Sequence, residues 1–184
     1  NLRELLEDFR NIVIMDNEVV YINGMRFIGS TLWSNMNDRD PITMLVCKDL
    51  INDYNYISKD SSFFPRNITP EDTCDLFDKN VDFITKMLSL SEGSIPQVVL
   101  THHAPSHHSV GAKYKGQISN GAFVSSLEPL ILDNLSIRVW AHGHTHSESD
   151  YQMGACRIVA HPYGYDRELY KDEKMYQPLK VEVR

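Results

Sequence analysis

The first 101 residues contain no histidine; all eight lie between His102 and His161. Cysteine is scarce as well. Cys47, Cys74 and Cys156 are odd in number, widely spaced and without a Cys-x-x-Cys pair. That pattern argues against a disulfide framework and for free buried thiols in a reducing compartment, with the cytoplasm as the expected location. Positive charge is short too, with 18 Lys and Arg against 25 Asp and Glu and a net charge of −7. Phosphate backbones demand a basic face, so a nucleic-acid groove is excluded as the main surface, although bound divalent ions would add charge that a residue count omits. No apolar run approaches membrane-spanning length, and neither a secretory signal pattern nor a repeat or internal linker occurs. What remains is an ordinary globular composition, 42% apolar and 23% charged over 184 residues, enough for one domain with a sizeable core. The chain begins at Asn1 rather than methionine, and the expectation is that an upstream part of a larger protein is absent.

Residues 2–10 read as the end of a helix with Leu2, Leu5, Leu6 and Phe9 on one face, and Ile12–Met15 as a short buried strand. Asn23-Gly24 between Glu18–Tyr21 and Met25–Gly29 is a hairpin signal. One helix is expected over Thr43–Ile57 after Asp40-Pro41, and a second from Thr69-Pro70-Glu71-Asp72 to about Leu90. In the second, threonine caps, proline suits the first turn and the acids suit the positive end. Ser91-Glu92-Gly93 breaks it; Phe63-Phe64 reads as core or lid packing. Gln97–Thr101 and Ile137–Trp140 are short strands, separated by a long polar loop to Gly121 and a helix over about Ala122–Leu132. Tyr151–Met153 and Cys156–Ala160 form a hairpin at Gly154, and Leu179–Val183 is a final strand. The order is that of a mixed α/β layered domain.

The histidines concentrate at two strand ends, Thr101-His102-His103-Ala104-Pro105 and His142-Gly143-His144-Thr145-His146. Imidazoles delivered by the ends of buried strands are how a metal site is built on a sheet, and neutral imidazole is the commonest ligand for transition metals. A turn at Gly143 can bring His144 and His146 to one centre. The expectation is that both rings converge with His102 or His103; His107, His108 and His161 read as loop residues.

Two stretches carry a resemblance. Val98-Val99-Leu100-Thr101-His102-His103-Ala104-Pro105-Ser106, followed some forty residues later by Gly143-His144-Thr145-His146, resembles the C-terminal half of the calcineurin-like metallophosphoesterase superfamily. Met25–Ser34 and Asn120-Gly121-Ala122-Phe123 are similar to a cytosolic branch of predicted phosphohydrolases. The resemblance implies a mixed-sheet α/β fold, the C-terminal part of a four-layer α/β/β/α sandwich, with residues 1–184 a single domain. It implies a metal-dependent phosphoester hydrolase, acting on mono- or diesters through two divalent ions, Mn, Fe or Zn. His102, His144 and His146 are then metal ligands, the place directly after the strand favouring His102 over His103. His103 is the catalytic neighbour, supporting a ligand or facing the phosphate. Lys113, Tyr114, Asn120 and Tyr163, with Tyr165, are candidates to touch a phosphoester or nucleotide substrate.

Of the family's five ligand motifs only the last two are present. The Asp-x-His, Gly-Asp and Gly-Asn-His motifs do not occur, and Asp133, Asp150 and Asp166 occupy no motif position. Neutral imidazoles cannot hold two cations a few ångströms apart without anionic ligands between them. The missing N-terminal segment or a partner chain is therefore expected to supply the rest. Alone, the chain is expected to bind metal poorly and to be marginally stable or self-associated. A non-catalytic scaffold retaining half of the sandwich is the alternative.

Overall fold

Short β-branched runs separated by turn residues build one sheet, and the computed structural model describes residues 2–59, 65–90, 95–164 and 176–183. After a short helix α1 (Leu2–Leu6), β1 (Glu18–Ile22) and β2 (Met25–Ser30) form the expected antiparallel hairpin. Asn23 and Gly24 turn it with φ of 51° and 76°. Both values are left-handed, as the tight turn that matches strand twist requires. β2 then runs parallel to β5 (Gln97–Thr101), β5 to β6 (Ile137–Ala141) and β6 to β8 (Cys156–Ala160). β7 (Ser149–Met153) closes the far edge antiparallel to β8, giving the order β1-β2-β5-β6-β8-β7. This is the expected mixed α/β architecture. The carboxyl ends of the four parallel strands of this six-stranded sheet share one edge.

The crossover from β2 to β5 carries a left-handed turn, α2 (Met36–Arg39), then α3 (Pro41–Leu50), α4 (Asp53–Tyr56), a two-residue ribbon of β3 (Ser58–Lys59) with β4 (Arg66–Asn67), and the long α5 (Pro70–Ser89). The start of α5 has the predicted chemistry. Thr69 accepts from the Asp72 amide, the Asp72 carboxylate accepts from the Thr69 amide, and Pro70 opens the first turn. Arg66 and Lys59 pair with the same carboxylate and hold it well below the usual range, with the Thr69 hydrogen bonds adding to the effect. Phe77, Ile84 and Leu88 of α5 and Ile131 of α6 (Glu128–Asp133) pack onto Ile28, Val99, Trp140 and Ile158. Trp140 is fully buried, and its indole N–H donates to Thr101 Oγ1 at 2.9 Å. The other face is narrower: Val98, Val139 and Val159, with Val181 and Val183 laid against them.

Five expectations are corrected. Ile12–Met15 is not a strand: among the described residues nothing pairs with it, β1 stays an edge strand, and Ile12 and Val13 are exposed. The helix expected over Thr43–Ile57 is two, broken where Ile51 turns extended (φ −96°, ψ 126°) so that Tyr54 can bury its ring. The helix expected from Ala122 begins only at Glu128, because Val124 bridges to Ala104 and Leu127 bonds to the Pro105 carbonyl. Leu179–Val183 is not a strand: its valines pack on the sheet, but among the described residues no strand pairs with it. Of the helix expected over residues 2–10 only Leu2–Leu6 is helical; Leu2 and Leu5 lie in it, Phe9 lies beyond it, and all three stand exposed. Phe63-Phe64, the Ser91–Gly93 break, Tyr165 and Asp166 lie outside the described residues. Among the described residues no helix is long and apolar enough to cross a membrane.

Candidate metal centre

Parallel strands deliver their last residues to one edge, and ligand sites in such sheets form outside those carboxyl ends. Here β2 ends into Thr31–Trp33, β5 into His102-His103, β6 into His142–His146 and β8 into His161. The Thr31 carbonyl accepts from the amides of both His102 and His103, at 3.1 and 3.2 Å. The His102 carbonyl accepts from the Gly143 amide at 3.0 Å, and the His142 amide reaches the Val159 carbonyl at 3.0 Å. Each histidine run is thus tied to its neighbours through backbone before any side chain is considered.

The side chains then converge. His102 Nε2 and His144 Nδ1 stand 3.0 Å apart. The His103 ring lies 4.2 Å from that of His144 and 5.2 Å, edge-on, from that of His102. Trp33 packs against His103 at 5.1 Å, and Phe123 stacks on His144 at 4.6 Å and 30°. His103 is only 3% exposed, so its ring faces its neighbours rather than solvent; Nδ1 looks at the Thr31 carbonyl at 3.5 Å. Of its two expected roles, this placement suits support of a ligand. His146 is exposed, two residues beyond His144, and is coupled electrostatically to both His102 and His144.

Burial, ahead of mutual repulsion, sets the protonation of the cluster. It lowers His102 and His142 and pushes His103 well below the ordinary imidazole range. His144 falls to about 3, through burial first and then through the neighbouring histidines. Only His102 feels an opposing charge, from Asp53. The rings are therefore neutral at pH 7, the form in which imidazole binds metal.

Backbone strain gathers at the same edge. His144 and His146 have φ of 59° and 47°, and Leu32, beside Trp33, has 49°. In α2 the four residues Met36–Arg39 all have φ between 52° and 59°, a left-handed turn without glycine. Such a conformation costs about 1–2 kcal/mol per residue. It is held by buried Met36, by Asn35–Asp38 and Asn37–Thr43 hydrogen bonds, and by Arg39 pairing with Asp75 and Asp78. Strained residues of this kind cluster where a site has to be pre-shaped.

The pair His102–His144 fits a metal ion. Two imidazole nitrogens about 2.1 Å from one ion, at right angles to each other, stand about 3 Å apart, against roughly 3.4 Å at a tetrahedral angle. The pair spacing matches the first case, and it is equally that of an N–H···N hydrogen bond between the two rings. His144 Nε2 is buried without a hydrogen-bond partner, although an unmet buried polar atom costs about 1–3 kcal/mol. The ring's other nitrogen, Nδ1, is the one that pairs with His102, so Nε2 is the unmet group of the site. Two imidazoles are short of a closed site, however. Among the described residues no group of three or more His, Cys, Asp or Glu side chains is placed to hold an ion.

The loop residues divide. Lys113 lies 4.6 Å over the Tyr114 ring, and Asn120 donates to the Tyr114 carbonyl at 2.7 Å, so these three form one internally tied unit. That unit begins at Gly111, where an added Cβ would stand 2.7 Å from Ser147 Oγ, next to His146. Tyr163 is apart from it, edge-on to Tyr176 at 5.5 Å. Sequence reasoning did not single out Asp53 or the polar group behind the second run, formed by Ser109, His142 and Tyr151. Asp53 sits in no motif, and the three polar residues come from separate elements.

No family model matches the chain. An uncharacterized protein of Acanthamoeba polyphaga mimivirus is 32% identical over 174 residues, covering 91% of this chain and 60% of that protein. The crystal structure of a phosphopantetheinyl hydrolase from Mycobacterium tuberculosis superposes with a TM-score of 0.62 at 11% identity, over 95% of this chain and 63% of that one. At that identity the likeness is one of fold. The chain spans about 60% of the length of the curated relative it matches.

Proposed function

We propose that this chain is the histidine-bearing part of a metal-dependent phosphoester hydrolase, with His102 and His144 sharing one divalent ion and His146 serving a second. The observation that carries the reading is the 3.0 Å pairing of His102 Nε2 with His144 Nδ1, both rings kept neutral, at the carboxyl edge of a parallel sheet. The overall likeness to a phosphopantetheinyl hydrolase supports it at the level of fold. The anionic ligands that two such ions need come, in this reading, from a segment preceding Asn1 or from a partner chain. Bound Mn, Fe or Zn would polarise the phosphoryl oxygens and supply a hydroxide nucleophile at neutral pH.

The chain's own residues prepare that chemistry. Thr31 and Gly143 fix the backbones of the two runs, Trp33 and Phe123 fix the ring planes, and His103 fills the space between. The Gly111–Asn120 unit, with Lys113 and Tyr114, forms the rim on which a mono- or diester is expected to lie, and Tyr163 is a weaker candidate. The direct experiment screens phosphomonoesters and phosphodiesters with Mn²⁺ against wild type and His144→Ala, in the full-length reading frame. Metal-dependent turnover that His144→Ala abolishes is the expected result. No turnover in any metal, with the fold intact, supports a scaffold instead.

A further inference from the structure

Behind the second histidine run lies a hydrogen-bonded chain whose direction the chemistry fixes. His142 Nδ1 is 3.1 Å from the Gly143 carbonyl, which can only accept, so the proton of a neutral ring sits on Nδ1. Nε2 must then accept, and its partner, Ser109 Oγ at 2.8 Å, spends its one proton there. Ser109 in turn accepts from the Tyr151 hydroxyl at 2.9 Å. Every proton is assigned: Tyr151 to Ser109, Ser109 to His142, His142 to the Gly143 carbonyl. Ser109 is 1% and His142 7% exposed, so water does not compete for these bonds.

The chain joins β7, the long loop after β5 and the end of β6, and it terminates on one peptide. That peptide links Gly143 to His144, the residue at φ 59° whose Nδ1 faces His102. The same carbonyl accepts from the Thr145 amide at 2.7 Å, so the imidazole and the turn together fix the peptide plane, and the plane fixes where the next side chain starts. The Gly143 amide, on the other side of the same residue, is bonded to the His102 carbonyl. Gly143 is therefore held from both ends.

We infer that His142, oriented by Ser109 and Tyr151, is a positioning residue that sets the Gly143–His144 peptide and so aims His144 Nδ1 at the His102 partner nitrogen. The consequence for metal affinity rests on the function proposed above; the tautomer and the aim of His144 do not. Groups that orient metal ligands typically change affinity ten- to a hundredfold when removed.

Two readouts separate the two ideas. Long-range ¹H–¹⁵N correlation spectra of the metal-free chain should place the His142 proton on Nδ1. Ser109→Ala should shift the His144 and His102 ring signals while those of His161 stay in place. Titration of the full-length reading frame with Co²⁺ should then show Ser109→Ala and His142→Ala weakened about tenfold to a hundredfold, and Tyr151→Phe by less. His142→Asn, whose amide still reaches the Gly143 carbonyl, should recover part of the loss. A His142 proton found on Nε2, or His144 signals unmoved in Ser109→Ala, overturns the inference even if Co²⁺ binds normally. If wild type binds no Co²⁺ while the spectra behave as stated, the positioning role stands and the metal reading fails.

Discussion

The floor of the sheet and its carboxyl edge are built from the same four parallel strands, yet they obey opposite rules. In the floor, Ile28, Val99, Trp140 and Ile158 are buried against α5 and α6, and even the indole N–H of Trp140 has its acceptor. At the edge, a few residues further along the same strands, neutral imidazoles crowd together, His144 among them on left-handed backbone, and His144 Nε2 has no partner. The contrast says where stability and where function reside. The floor is consistent at every level from sequence pattern to hydrogen bonding. The edge breaks those rules at a handful of named positions, which is where a rigid scaffold can hold a reactive arrangement.

The largest effect is expected in the floor. Trp140→Ala should cost about 3–5 kcal/mol in urea unfolding, the range for truncating a buried aromatic; a loss below about 1 kcal/mol would mean that the floor is not the stabilising region.

The edge should show itself through pH. His103, His142 and His144 have folded pKa values below the unfolded imidazole value of about 6.5. Between the folded and unfolded values the unfolded chain binds more protons, so stability is complete above about pH 6.5 and declines as pH falls toward the folded value of about 3 for His144. Asp72, also depressed, adds a second decline below about pH 4. Urea midpoints measured from pH 8 to pH 4 should fall first near pH 6.5, and His103→Gln should flatten that first fall. A flat profile down to pH 5 would contradict the burial of the cluster.

A smaller effect is expected at the start of α5. Thr69→Ala removes one half of the capping box and should cost about 1 kcal/mol, read by thermal unfolding. The smallest effect on stability sharpens the comparison most. His144→Gly relieves a left-handed non-glycine residue and removes the unpartnered Nε2, so stability should change by less than about 1 kcal/mol while metal binding is lost. A large destabilisation would place His144 with the floor instead of the edge.

Much of the floor was legible from residues alone. Asn23-Gly24 specified its hairpin, Thr69-Pro70-Glu71-Asp72 its helix start, and the runs Gln97–Thr101 and Ile137–Trp140 their strands, because each is a local signal. Elements that depend on a distant partner were not legible. Ile12–Met15 and Leu179–Val183 have strand patterns but pair with no strand among the described residues. Ala122–Leu127 exchanges helix for bonds to Ala104 and Pro105 across the loop, which no local pattern encodes. At the edge, the convergence of His102 and His144 was readable from strand-end placement. The burial of His103, the left-handed turn at Met36–Arg39 and the Tyr151–Ser109–His142 chain were not, since each is fixed by residues far apart in sequence.

The most direct test of the metal centre compares wild type and His146→Ala, in the full-length reading frame, for hydrolysis of bis(p-nitrophenyl) phosphate after EDTA stripping and Mn²⁺ add-back. The account predicts that EDTA abolishes turnover, that Mn²⁺ restores it in wild type only, and that both proteins unfold at closely similar urea concentrations. Turnover untouched by EDTA, or His146→Ala as active as wild type, would contradict it.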